Sequence, residues 1–96
     1  MSTLEERKYC VYFHKNRKDN TVFYVGIGNS KRPYDTRKRN EFWKNYTTKY
    51  EYDVEVKHKN LTWSEACDKE REYIAKYGRR DKGNGTLVNM TDGGIS

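Results

Sequence analysis

Phe23-Tyr24-Val25-Gly26-Ile27-Gly28, read together with Cys10-Val11-Tyr12-Phe13-His14 upstream of it, decides the fold of this chain. In the upstream run Val11 and Phe13 alternate with Cys10, Tyr12 and His14, the period-two pattern of a strand with one face on a core. The segment Lys15 to Asn20 is polar throughout, and Val22 to Gly26 then forms a second strand, so the simplest arrangement is an antiparallel hairpin. It directs Val11, Phe13, Phe23 and Val25 toward the core. Tyr12 and Tyr24 are left together on the opposite face. The two glycines are no nucleotide loop: the third glycine of a G-x-G-x-x-G pattern would fall at Lys31, and no Gly-Lys-Ser/Thr follows.

Working outward, Pro33 suits a first helical turn and Asn40 suits an N-cap ahead of Phe42, Trp43 and Tyr46. One helix or two consecutive pieces are expected between residues 33 and 49. Tyr52, Val54 and Val56 alternate with Asp53, Glu55 and Lys57 as an amphipathic strand. Glu55 and Lys57 share its polar face as the E-x-K half of a restriction-type nuclease would, which is also how any solvated strand face looks. Thr62 and Glu65 form a capping box with Leu61 and Ala66 as its hydrophobic staple, and Gly78 provides a C-terminal stop. Between those ends Trp63, Ala66, Cys67, Tyr73, Ile74 and Tyr77 recur at helical spacing. Glu70 interrupts that apolar stripe. A carboxylate there needs compensation, and an arginine from the basic segment or a metal ion would each supply it.

The 96 residues fit one domain, with a core running from about residue 9 to 94, and a chain this short buries only roughly 60 to 65% of its unfolded surface. Nine tyrosines, three phenylalanines and two tryptophans carry much of its apolar mass. Twenty Lys and Arg against fourteen Asp and Glu give a net charge of +6, which favours a polyanionic partner. No apolar run approaches the ~18 residues of a membrane span, and the charged start lacks a signal-peptide core, so a cytoplasmic or nucleoid-associated protein is expected. Cys10 and Cys67 read as buried, reduced thiols, and their separations from His14 and His58 are not those of a zinc finger.

Cys10-Val11-Tyr12, then eleven residues, then Tyr24-Val25-Gly26 resembles the paired signature of the GIY-YIG nuclease family, with cysteine in place of the first glycine. Arg32 follows where that family has its arginine, Glu70 four residues before Ile74 matches its metal-binding glutamate, and Asn89 matches its late asparagine. The resemblance covers nearly the whole chain. It implies an α+β fold, a small three-stranded antiparallel sheet flanked by helices, with Tyr12, Tyr24, Arg32, Glu70 and Asn89 converging on one face. It also implies a metal-dependent DNA endonuclease leaving 5'-phosphate and 3'-hydroxyl ends. Glu70 would hold Mg2+ or another divalent cation such as Mn2+, Arg32 a non-bridging phosphate oxygen, and Tyr12 would be the general base. Tyr24 would orient the phosphate or the attacking water, and Asn89 would buttress the site. Thr36 stands where many relatives carry a histidine, so Tyr12 acts unaided, His14 substitutes, or activity is low.

DNA binding is expected from Lys31, Arg32, Arg37, Lys38, Arg39 and Lys44 meeting the phosphate backbone. With no room for a separate DNA-reading module, specificity is expected to be weak or to rest on a homodimer or a separate partner. Two other readings remain at this stage: a catalytically weak or inactive nucleic-acid-binding module on the same fold, and an RNA-binding module that stacks bases on its tyrosines.

Overall fold

The computed structural model describes residues 6–91 and residue 93. Met1 to Glu5 and the expected limit of the core at Gly94 lie outside the described residues. Strands β1 (Tyr9–Asn16), β2 (Val22–Gly28) and β3 (Tyr52–Leu61) form one antiparallel sheet in the order β2-β1-β3. Two helices flank it, α1 (Glu41–Lys49) and α2 (Trp63–Tyr77), and a single 3-10 turn at Arg32–Tyr34 precedes α1. The chain is therefore a small α+β fold with the three-stranded antiparallel sheet read from its sequence. Residues 33–49 are two pieces, separated by an irregular loop.

The hairpin differs from strict alternation in one decisive respect. Phe13 faces Val25 and His14 faces Tyr24, but Lys15 faces Val22, so Phe23 is an extra residue in β2. A bulge of this kind turns consecutive side chains to one side of the sheet. Phe23 accordingly joins Trp43, Tyr46 and Val88 on the Tyr24 side, while Val22 joins Val11, Phe13 and Val25 on the other. The expectation that Phe23 shares the face of Val25 is corrected by that bulge. Both sheet faces are consequently buried. Helix α2 covers one with Ala66 and Ile74, and α1 covers the other with Trp43 and Tyr46, the Tyr46 ring stacking on Phe23 at 4.1 Å.

Local chemistry fixes the helix ends as the sequence indicates. The Asn40 side chain accepts from the Trp43 amide, and Thr62 and Glu65 complete both halves of a capping box, a device contributing on the order of 1 kcal/mol. Gly78 ends α2 at φ 77°, where a side chain would also meet the Asn84 carbonyl. The free edge of β2 is covered rather than exposed: Thr86 donates to the Val22 carbonyl, Val88 to that of Phe23, and Asn89 binds Val25. Cys10 and Cys67 are both buried. Among the described residues no helix is long and apolar enough to cross a membrane.

Candidate active site and nucleic-acid interface

Strand register puts Tyr12 and Tyr24 on the α1 face of the sheet, their ring centroids 6.4 Å apart. Tyr12 is 1% exposed and Tyr24 half-buried. Tyr12 lies opposite Gly26, and a Cβ built on that glycine would come within 2.3 Å of the Tyr12 Cζ and Oη. At Gly28 a Cβ would come within 2.5 Å of the Arg32 side chain. These glycines make room for the protein's own tyrosine and arginine.

Burial pushes the Tyr12 phenol up to about 12, with Tyr24 adding to the rise and Arg39 and Arg32 opposing it. At neutral pH the phenol keeps its proton, so in the resting site Tyr12 is both a hydrogen-bond donor and an acceptor.

His14 is not placed to substitute as the base. Its Nε2 lies 2.8 Å from the Pro33 carbonyl and its Nδ1 accepts from the Trp43 indole at 2.9 Å. A carbonyl only accepts and an indole only donates, so the ring is neutral with its proton on Nε2. It is also fully buried, and that burial lowers its pKa to about 4 against the favourable effect of the Pro33 carbonyl. His14 is thus a structural post between the sheet, the 3-10 turn and α1. A linkage effect follows, because the unfolded chain takes up the proton near pH 6.5 and the folded one does so only near 4. Stability is full above about pH 6.5 and falls as the pH drops toward 4, with a loss of about 2 kcal/mol between pH 7 and pH 5. Urea unfolding at those two pH values in a His58→Gln variant, which removes the other histidine, checks this; equal stability would contradict it.

Of the six cations expected on the surface, Lys31, Arg37, Lys38 and Lys44 are exposed and Arg32 is half-buried. Arg39 differs, being 5% exposed and turned inward just before the N-cap of α1. Its Nη1 donates to the Tyr12 hydroxyl at 2.7 Å, its Nη2 to the carbonyls of Arg32 and Asp35, and its Nε to Asp35 again. The guanidinium also lies 5.3 to 5.5 Å from the Tyr12, Tyr24 and Trp43 ring centroids. Sequence reasoning counted Arg39 among the surface cations. The available signal was its place immediately before a helix cap, a position whose side chain often packs back on the first turn.

Arg32 donates to the carbonyls of Arg37 and Lys38, so two guanidiniums knit the loop from residue 32 to residue 39 through neutral oxygens. The loop's acid, Asp35, is engaged by Arg37, which holds its carboxyl well below the usual range. Asn89 is buried against β2, donating to the Val25 carbonyl at 2.8 Å and accepting from the Val25 amide at 3.1 Å, so it locks the strand edge next to Tyr24 and Gly26.

Glu70 stands on α2, half-buried between Cys67 and Ile74, and that helix packs on the face of the sheet opposite the tyrosines. A Cβ on Gly93 would lie 3.2 Å from the Glu70 Cγ. Tyr12, Tyr24, Arg32 and Arg39 are thus drawn together on one side, with Asn89 at the β2 edge, whereas Glu70 stands on the helix that covers the other side. The expectation that Tyr12, Tyr24, Arg32, Glu70 and Asn89 all converge on one face is corrected in that respect, because the α2 stripe carrying Glu70 packs on Val11, Phe13 and Val25. Among the described residues no group of three or more His, Cys, Asp or Glu could cage a metal. A single carboxylate does fit a magnesium or manganese held in the main by water and phosphate oxygens, the usual habit of Mg2+. Glu55, by contrast, pairs with Lys15 at 3.0 Å, as a solvated strand face does. Compared with protein-family models, curated proteins and solved structures, the chain gives no match.

Proposed function

We propose that this protein is a metal-dependent endonuclease of GIY-YIG type that hydrolyses DNA phosphodiesters to 5'-phosphate and 3'-hydroxyl ends. The observation that carries the reading is the pairing of Tyr12 and Tyr24 beside Arg32, at a strand edge that Asn89 holds from outside. In the reaction a water oxygen bonds to phosphorus and gives up a proton, the bond to the 3'-oxygen breaks, and that oxygen takes up a proton in its place, so that no net proton is gained or lost. Arg32 would exchange its loop carbonyls for a non-bridging phosphate oxygen, gaining a charge-assisted bond. Tyr24, half-buried at the rim, would orient the phosphate or the attacking water. Glu70 would hold Mg2+ or Mn2+, which when bound offsets the phosphate charge and steadies the leaving oxygen. Resealing of nicked plasmid by a DNA ligase tests the ends, since sealing needs a 5'-phosphate and a 3'-hydroxyl; products that cannot be sealed would overturn the end chemistry.

The exposed Lys31, Arg37, Lys38 and Lys44 form the DNA surface in this reading. Replacing Lys31, Lys38 and Lys44 by glutamine is expected to flatten the salt dependence of duplex binding by roughly 0.9 in log–log slope for each phosphate that is no longer neutralised. Anisotropy titrations at several salt concentrations measure it, and an unchanged slope would remove the surface assignment. The 1% exposure of Tyr12 favours a second reading, a nucleic-acid-binding module without turnover. That module would retard DNA and leave it uncut.

A further inference from the structure

The Arg39 guanidinium is buried without a carboxylate partner among the described residues: it meets two carbonyls, one hydroxyl and three aromatic rings. Burial of an unneutralised cation is costly. Next to it is a second incomplete group. The Tyr12 oxygen accepts from Arg39, and its own proton has no acceptor among the described residues. The groups facing that phenol are His14, Tyr24, Arg32 and Arg39, with Trp43 behind them, and none of them is an anion. One incoming anionic oxygen would give Tyr12 its acceptor, with the Arg39 guanidinium one bond further back on the same hydroxyl.

We infer that Arg39 is a positioning residue acting through Tyr12: it occupies the phenol's acceptor site, so that the Tyr12 O–H donates to a phosphodiester oxygen of the bound strand. The inference rests on the nuclease reading for its substrate, and it reverses the part Tyr12 would play as a base. A phenol oxygen already held by a guanidinium is a poor acceptor for a proton from water, and its O–H is a stronger donor for that contact. Tyr12 is reached once the phosphate draws Arg32 off the carbonyls of Arg37 and Lys38 and so loosens the segment that leads into Arg39.

A double-mutant cycle on duplex binding, measured with chelator so that no cleavage occurs, tests the relay. Tyr12→Phe removes the donor and is expected to weaken binding of a short duplex about tenfold, and Arg39→Gln to do the same. The double variant is expected within about twofold of Tyr12→Phe alone, because Arg39 acts only through the hydroxyl. An equal loss from Arg39→Gln with and without the hydroxyl would overturn the relay, since an arginine that merely organises the loop costs the same in both backgrounds. Binding by Tyr12→Phe within about twofold of the native protein would overturn it as well, and that arm decides even where Arg39→Gln does not fold. The two readings fail separately: coupled binding without any nicking would sink the nuclease and keep the relay, and nicking without coupling would sink the relay alone.

Discussion

Glu70→Gln should lower the rate of plasmid nicking by at least ~100-fold while leaving the fold and the retardation of DNA on a gel in place. The change keeps the size of the side chain and its position on α2 between Cys67 and Ile74, and removes the charge a divalent cation needs. Thermal melting of the variant separates a loss of turnover from a loss of fold. Among the described residues no cluster of metal-ligating side chains stands ready to replace it. Initial nicking rates, with thermal melting of the same samples, make the comparison. A variant that nicks within a few fold of native would take Glu70 out of the reaction.

Gly26→Ala should cost about 2 kcal/mol of stability and remove most of the activity. The added Cβ would meet the Tyr12 Cζ and Oη at 2.3 Å, well inside contact distance. Tyr12 has little freedom to yield, being 1% exposed, bonded to Arg39, and packed between His14 and Tyr24. Overpacking of a tight interior typically costs roughly 1 to 3 kcal/mol, and in a domain of this size each kcal/mol lowers Tm by roughly 4 to 8 °C. Thermal unfolding should therefore show a drop of roughly 10 °C. An unchanged Tm would mean that the ring moves aside freely, and that Gly26 is not what seats it.

Much of this arrangement was legible in the residues. The cap at Asn40 and the box at Thr62 and Glu65 are local signals fixed by hydrogen bonds within one turn, and the alternation around Tyr12 and in Tyr52 to Val56 locates strands β1 and β3. The reading failed where a long-range contact decides. Phe23 changes face because β2 carries one residue more than β1 can pair, and no hydrophobic pattern counts residues across a hairpin. Arg39 looks like its neighbours Arg37 and Lys38 in sequence; only the Tyr12 hydroxyl and the carbonyls of Arg32 and Asp35 distinguish it. His14 looked free to act as a base because nothing near it in sequence reveals that Trp43 and Pro33 occupy both ring nitrogens.

The central claim is phosphodiester cleavage that depends on a divalent cation, and nicking of supercoiled plasmid by the native protein tests it most directly. Two samples at low salt suffice, one with Mg2+ and one with chelator. Conversion to relaxed circles with Mg2+, and none with chelator, is the predicted result. Plasmid that stays supercoiled in both samples while being retarded equally would contradict it, and would leave a DNA-binding module in place of the enzyme.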